Sequence, residues 1–212
     1  MKILTMPVGA FQTNCYLVWD ESTHEGVVID PGYDARGILM KAAKEGIQLR
    51  YILLTHGHVD HVTAAQEIRE KTGAQTVIGQ GDAHYLIENE TDGLGMYYPT
   101  SYPNTAPDRT VQEGDVIRVT DQLQFRVLET PGHTAGGVCF LCGEVLFSGD
   151  TLFAGSCGRT DLSTGSFPEI LRSLKRLAEL EGDYRVLSGH GEETTLAWER
   201  RYNPYIREAM SC

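Results

Sequence analysis

Basic side chains are scarce in this sequence, which has 18 lysines and arginines against 29 aspartates and glutamates and a net charge of −11. Such an acidic surface repels phosphate backbones, and no local basic patch offsets it, so we expect no nucleic-acid partner. Apolar runs of the roughly 18 residues that a membrane helix needs are also missing, so no membrane partner is expected. The sequence predicts no particular oligomeric state.

Cysteine is present, but not in a pattern that forms a disulfide framework. The five cysteines are odd in number and irregularly spaced, which favours a reducing compartment. The first residues lack the long apolar stretch and cleavage site of a secretory signal, so a cytoplasmic protein is expected. Cys139 and Cys142 have the spacing of half a zinc ribbon, but without a second pair we expect them in the core. Cys157 is also expected to have a packing role and not a reactive one.

The densest group of metal-ligand residue types lies in Thr55–His61, with the sequence THGHVDH. This stretch follows a predicted strand, Tyr51–Leu54, and precedes a predicted helix, Val62–Lys71. Residues two apart leave the same face of an extended strand, and the start of the helix turns the next two side chains back toward the same point. Imidazole and carboxylate are ligands of zinc and other divalent transition metals. The spacing therefore predicts a metal site and not a solvated polar loop. Its candidate ligands are His56, His58, Asp60 and His61.

Three more candidate ligands lie outside this stretch. His133 occurs in TPGHT, Asp150 in SGDT and His190 in SGHG, and each follows an apolar run and stands beside glycine. Glycine lets the backbone approach a bound group closely. The two remaining histidines, His24 and His84, lack this setting and are expected at the surface.

Together the motifs supply five histidines and two aspartates, too many for one tetrahedral zinc. The number suits two divalent metal ions that share one carboxylate and a bridging water. Two cations about 3.5–4 Å apart lower the pKa of that water and polarise an acyl or phosphoryl oxygen, so that hydroxide is available at neutral pH. Zinc is the metal we expect, although iron and manganese accept the same ligands.

Strand and helix signals alternate along the chain, which predicts an α/β (α+β) fold with two sheets stacked between helices. A hairpin is predicted over Val138–Phe147, and a capping-box pattern predicts a helix from Ser166 to about Ala178. A short helix is expected over Asp82–Glu88, and a closing helix from Glu192 onward. The segment Asn89–Asp108 has no clear period.

Taken in order, the motifs THGHVDH, PGHT, SGDTLF and GHG resemble those of the metallo-β-lactamase superfamily over nearly the whole chain. The resemblance implies an αββα sandwich, with two mixed sheets flanked by helices and a metal site along one edge. It also implies the role of each candidate ligand: a first metal held by His56, His58 and His133, a second held by Asp60, His61 and His190, and a bridge formed by Asp150. Asp60 and Asp150 are then the catalytic carboxylates.

Within the superfamily, GDTLFAGSCGRTD (149–161) is similar to glyoxalase II, and residues 189–204 resemble short bacterial hydrolases of that type. This likeness implies hydrolysis of a small thioester, such as an S-2-hydroxyacylglutathione, by metal-bridged hydroxide. Too few residues follow His190 for the separate C-terminal helical domain of full-length glyoxalase II, so a single domain over residues 1–212 is expected. The segment CGRTD also resembles the persulfide dioxygenases, which use a single iron, and this is the alternative. True β-lactamases lack an aspartate at the position of Asp150, so that branch is not expected.

Substrate contacts are predicted for Arg159, Tyr97 and Tyr98. Arg159 matches a basic position that contacts the glutathione part in glyoxalase II. The tyrosines, with Tyr102, lie in the aperiodic 89–108 segment, which is expected to cover the metal cleft; the alternative is a surface excursion with an aromatic anchor. Asp30 follows a strand and is expected to form a turn or to orient a ligand histidine.

Overall fold

The computed structural model describes residues 1–87 and 105–211, in which two six-stranded sheets contain both parallel and antiparallel pairs. The first sheet follows chain order: β1 Lys2–Val8, β2 Thr13–Trp19, β3 Glu25–Ile29, β4 Gln48–Leu54, β5 Gln75–Gly79 and β6 Arg109–Val111. The chain continues with β7 Val116–Arg118, β8 Gln124–Glu129, β9 Val138–Cys142 and β10 Val145–Gly149, then a small hairpin of β11 Leu152–Phe153 and β12 Ser156–Cys157, then β13 Arg185–Ser188 and β14 Thr194–Thr195. The second sheet has the order β14-β13-β10-β9-β8-β7.

The described residues form six α-helices and one 3₁₀ helix. Their bounds are α1 Ala35–Lys44, α2 Val59–Val62, α3 Ala65–Thr72, the 3₁₀ helix Gln80–Leu86, α4 Phe167–Ala178, α5 Leu196–Tyr202 and α6 Pro204–Ser211. None of these helices combines the length and apolar character needed to cross a membrane. Side-chain caps fix some starts: the Asp34 carboxylate accepts from Gly37 N, and the Thr195 hydroxyl accepts from Trp198 N.

Three apolar layers run through the molecule and explain the order helix, sheet, sheet, helix. In the first layer α1 and α3 pack on one face of the first sheet, as Ile38 and Ile68 do. In the second the two sheets pack against each other, and Phe140 lies there. In the third α4, α5 and α6 cover the second sheet through residues such as Leu174 and Ile206. The predicted αββα fold is confirmed.

Burial on both faces explains the wholly buried sequence of β2. Successive side chains of a strand point to opposite faces. Leu17 and Trp19 therefore pack with the helices of the first layer, while Tyr16 and Val18 pack between the sheets. Strands covered on both sides carry near-continuous apolar runs.

Several predicted boundaries are wrong. The helix expected over Val62–Lys71 is divided into α2 and α3, because Ala64 N donates to Pro31 O (2.9 Å) in the turn after β3. The short helix expected over Asp82–Glu88 is the 3₁₀ helix, and the closing helix begins only after β14 pairs with β13. The helix predicted from Ser166 is present as α4, but within the described residues the Ser166 side chain makes no capping hydrogen bond.

The topology places four turns at one edge of the sandwich. Strands β8 and β10 run in the same direction, since each is antiparallel to β9, and β13 is parallel to β10. Their carboxyl ends therefore meet at a common edge of the second sheet. The end of β4 joins this edge, because Val138 N donates to Thr55 O (2.8 Å) and ties the two sheets together there. This edge carries every predicted ligand.

Candidate metal centre

This edge brings the seven predicted ligands into one cluster, in which Asp150 and His190 are half-buried and the other five are buried. The turn after β4 carries His56 and His58, the short helix α2 that follows carries Asp60 and His61, and the turns after β8, β10 and β13 carry one ligand each. Donor atoms lie within 4.8 Å of one another in each of three groups: His56, His58 and His133; His56, His61 and Asp150; and Asp60, His61 and His190. We call the first of these the histidine group and the third the mixed group.

Asp150 lies between the histidine group and the mixed group. Its Oδ2 atom is 3.5 Å from Nε2 of His133 and 3.5 Å from Nε2 of His190. Its Oδ1 atom is 3.5 Å from Nε2 of His61. One carboxylate therefore reaches donor atoms of both groups.

Several donor atoms that point into the cluster formed by the described residues lack a hydrogen-bond partner, as expected of atoms that bind a cation. Among the described residues, four buried side-chain polar atoms have no hydrogen-bond partner: Nε2 of His56, His58 and His133, and Oδ1 of Asp150. A buried polar atom left unsatisfied costs about 1–3 kcal/mol, so four in one place call for an explanation. The rings of the three histidines are mutually edge-on, with centroids 4.6–4.8 Å apart. Imidazole nitrogens and a carboxylate oxygen that converge without partners are a donor set for divalent metal ions.

The outer ring nitrogens are hydrogen-bonded and aim the inner ones. His133 Nδ1 donates to Arg159 O (2.7 Å), His190 Nδ1 to Phe11 O (3.2 Å), and His61 Nδ1 to the Asp30 carboxylate (3.0 Å). Such contacts fix the tautomer and the ring orientation of a metal ligand. The predicted contact between Asp30 and a candidate ligand histidine, His61, is therefore present.

Charge divides the cluster into two environments. Burial and neighbouring histidines lower the pKa of His58 to about 3, which keeps this imidazole in the neutral form that binds metal. Burial also disfavours the charged form of His61, but the carboxylates of Asp60, Asp150 and Asp30 outweigh it and raise its pKa to about 10. His56 and His58 thus offer neutral donors, because burial also lowers the pKa of His56, whereas the carboxylates of the mixed group create a negative field that favours a cation.

A cleft of about 400 Å³ opens onto the cluster. Apolar side chains of Phe11, Phe153 and Leu162 line its wall, and Arg159 lies at its rim. The Arg159 guanidinium pairs with Asp161 through two bonds, Nε to Oδ1 (2.7 Å) and Nη2 to Oδ2 (2.8 Å). The predicted substrate residue Arg159 therefore faces the cleft, but with its charge partly compensated.

The remaining tyrosines and histidines named in the sequence analysis either lie away from the donor groups or fall outside the described residues. Tyr97, Tyr98 and Tyr102 lie outside the described residues, so the predicted cover over the cleft stays a prediction. His24 is exposed and His84 is half-buried, and neither belongs to the three donor groups.

The cysteines have the packing roles that were expected. Cys139 and Cys142 are buried on opposite faces of β9, one beneath α4 and the other between the sheets, so they do not form half of a zinc ribbon. Cys157 is half-buried at the cleft, where burial and Glu208 raise its pKa to about 11. Its thiol is therefore protonated near neutral pH.

Sequence reasoning missed several residues that support the cluster. Thr13 Oγ1 donates to the Asp60 carboxylate (3.0 Å). The buried Asp82 carboxylate accepts from Gly57 N and Thr134 Oγ1, which lie in the two turns that carry the histidine group. A single hydroxyl or aspartate near a strand end has no spacing signal. The only available signal for Asp82 was the glycine on either side of Gln80, which permits close backbone approach.

Comparisons with known proteins agree with this fold and site. Residues 8–190 match the family model of the metallo-beta-lactamase superfamily. The hydroxyacylglutathione hydrolase GloC of Haemophilus influenzae is 35% identical over 210 residues, which cover 97% of this chain and 98% of that protein.

Solved structures align over almost the entire chain. The BLEG-1 B3 metallo-beta-lactamase has a TM-score of 0.90 and 31% identity, covering 97% of this chain and 99% of its own. A di-iron-bound form of TTHA1623 has a TM-score of 0.83 and 35% identity, covering 96% and 100%. ETHE1 from Myxococcus xanthus has a TM-score of 0.82 and 32% identity, covering 96% and 84%.

Proposed function

The chain belongs to the metallo-beta-lactamase superfamily, and on that premise we propose that it is a dinuclear metal-dependent hydrolase of a small anionic thioester such as an S-2-hydroxyacylglutathione. The similarity to GloC, a hydroxyacylglutathione hydrolase by name, supports this choice of substrate class. A reaction on a small molecule in the cytoplasm, without nucleic acid or membrane, fits the acidic composition.

The position of Asp150 is the observation that carries the dinuclear proposal. Its two oxygens lie 3.5 Å from histidine nitrogens of both donor groups, so the same carboxylate is available to two cations. A site for one metal would use the donors of one group only and would leave unexplained why Asp150 reaches both. The histidine group would hold one ion, the mixed group the other, and Asp150 would bridge them.

The chemistry of the bound ions would complement that of the chain. Two divalent cations lower the pKa of water and polarise an acyl oxygen where negative charge develops. Asp60 and Asp150 offset part of the added positive charge, and the Nδ1 hydrogen bonds of His61, His133 and His190 keep their rings aimed inward. Zinc is our proposal for the metal, with iron or manganese compatible with the same donors; the di-iron form of TTHA1623 makes iron the first alternative to test.

The cleft suits a thioester that carries a negative charge. Phe11, Phe153 and Leu162 offer an apolar wall to the acyl and thioether part, and Arg159 offers a guanidinium at the rim. The Arg159–Asp161 pair is exposed, and exposed ion pairs contribute only about 0–1 kcal/mol, so a substrate carboxylate can displace Asp161. A thiolate is a weak base, with a parent pKa of about 8.5, and can leave without a general acid. Within the described part of the cleft, every histidine and aspartate belongs to the metal groups.

The function is tested by parallel assays on the chain purified without added metal, with its metal content measured. We expect two metals per chain and turnover of a glutathione thioester. The alternative is an iron-dependent sulfur dioxygenase, which the resemblance of CGRTD to persulfide dioxygenases favours; it predicts oxygen uptake with glutathione persulfide and one iron per chain. A β-lactam is the third substrate, because of the similarity to BLEG-1. Turnover of either of these substrates in place of the thioester would overturn the proposal.

Arg159 is expected to act in substrate binding and not in bond breaking. Arg159→Ala should raise KM for an anionic thioester by about tenfold, the loss of roughly one charge-assisted hydrogen bond, and leave kcat within about threefold. Steady-state kinetics measure both constants. Arg172→Ala, which removes an exposed arginine paired with Glu169 on α4, is the matched control and should change neither.

A variant of a candidate metal ligand should behave differently from the Arg159 variant. His58→Ala should collapse kcat, since it removes a donor of the histidine group. An Arg159 variant with normal KM and no turnover would mean that the guanidinium takes part in the chemical step.

A further inference from the structure

One fully buried carboxylate near the site is not among the seven candidate ligands. Asp82 lies in the first turn of the 3₁₀ helix that follows β5, and it has no exposed surface. Three donors point at it. Gly57 N (2.9 Å) and Thr134 Oγ1 (2.7 Å) donate to Oδ2, and Gly136 N (2.7 Å) donates to Oδ1.

These three donors belong to two turns that come from different sheets. Gly57 stands between His56 and His58 in the turn after β4, and Thr134 directly follows His133 in the turn after β8. The Asp82 carboxylate is therefore a bridge between the two turns that supply the entire histidine group. None of its three bonds reaches a turn that carries Asp150 or His190.

The backbone is packed so tightly around the Asp82 carboxylate that Gly57 and Gly136 cannot be replaced by residues with a side chain without a clash. A Cβ atom on Gly57 would lie 2.4 Å from the ring of Tyr85, and one on Gly136 would lie 2.1 Å from Asp82 N. Tyr85 belongs to the same 3₁₀ helix as Asp82, and its ring packs edge-on against the His58 ring with centroids 5.9 Å apart. The 3₁₀ helix thus contacts the turns that carry the histidine group through Asp82, and the His58 ring itself through Tyr85.

We propose that Asp82 is a positioning residue for the histidine group, holding two turns together so that His56, His58 and His133 converge on one metal ion. This role rests on the proposed metal centre, but it concerns metal binding and not the choice of substrate. The mixed group has its own support on the other side of the cluster, where Thr13 Oγ1 donates to Asp60. The two metals should therefore respond to different variants.

The test measures metal affinity in two backgrounds that each keep one donor group. His190→Ala removes a donor of the mixed group, and His58→Ala removes a donor of the histidine group. Zn²⁺ is titrated into the chelator-treated chain in competition with a chromogenic chelator. We expect Asp82→Ala to raise the Kd of Zn²⁺ by about 10–100-fold in the His190→Ala background, the usual effect of losing an outer support of a metal ligand. In the His58→Ala background we expect a change of less than threefold.

Thr13→Val is the mirror control, because it removes the hydroxyl that donates to Asp60 and keeps the shape of the side chain. It should weaken Zn²⁺ binding in the His58→Ala background and not in the His190→Ala background. Asp82→Asn and Thr134→Val each remove only part of the bridge. They are used in place of Asp82→Ala if the alanine variant does not fold. Each should raise the Kd in the His190→Ala background by a smaller factor.

Equal weakening in both backgrounds, or none in either, would overturn the positioning role and make Asp82 a general structural residue. A wild-type chain that binds no Zn²⁺ would overturn both this proposal and the metal centre. A chain that shows the selective pattern but does not hydrolyse thioesters would overturn the proposed function alone.

Discussion

Asp150→Ala is expected to abolish thioester hydrolysis together with the binding of at least one metal. The Asp150 carboxylate lies 3.5 Å from nitrogens of His61, His133 and His190, so its removal takes away the one donor that both groups would share. Without the Asp150 carboxylate, the positive charge of the bound cations would also be less well compensated. Loss of an outer support of a metal ligand costs about 10–100-fold in affinity or activity, so the loss of a shared ligand should lower kcat by more than about 100-fold.

Metal content per chain and kcat are the two measurements, made on the same preparations. Asp150→Asn keeps one carbonyl oxygen and should retain more metal than the alanine variant, but less than the wild-type chain. Asp121→Ala removes an exposed carboxylate between β7 and β8 and is the control for the change in net charge. Two metals per chain with normal turnover in Asp150→Ala would contradict the bridging role.

The seven candidate ligands could be predicted because each carries a residue-type signal at a strand end. In mixed sheets, strands that run in the same direction end at the same edge, so separate motifs such as those of His133 and His190 meet in space. The supporting atoms lack such a signal. The carbonyl oxygens of Phe11 and Arg159 that orient His190 and His133 belong to the backbone, and any residue type could supply them.

The main elements of the fold were equally open to prediction, since apolar runs identify strands that are buried on both faces. The helix and strand boundaries that depend on tertiary hydrogen bonds could not be predicted in this way. The break between α2 and α3 follows from the bond of Ala64 N to Pro31 O, which lies in the turn after β3 and is distant in sequence. The β11–β12 hairpin has two-residue strands, too short for an alternating pattern to appear.

That hairpin depends on a buried glutamate of the closing helices, and its loss is expected to have the second large effect. Glu199 on α5 has no exposed surface. Its carboxylate accepts from Gly155 N (2.9 Å) in the hairpin, from Thr194 Oγ1 (2.7 Å) and from Asn203 Nδ2 (2.8 Å). The Asn203 amide also donates to Ser156 O (3.0 Å). The side chains of Glu199 and Asn203 therefore hold the hairpin that carries Phe153 and Cys157 to the cleft.

Glu199→Ala should lower the free energy of unfolding by roughly 3 kcal/mol, because three donors, among them the buried Asn203 amide, lose their charged acceptor. For a chain of this size, that corresponds to a fall in Tm of about 6–12 °C, measured by thermal denaturation. Because the hairpin wall of the cleft loosens, KM for the thioester should rise as well. Glu199→Gln keeps a carbonyl acceptor for Gly155 and Asn203 and should lose less than about 1 kcal/mol, since most of the hydrogen bonds survive. Glu181→Ala, at an exposed carboxylate just after α4, should leave both Tm and KM unchanged. If the glutamine variant were as unstable as the alanine variant, the negative charge itself, and not the hydrogen-bond geometry, would be what anchors the hairpin.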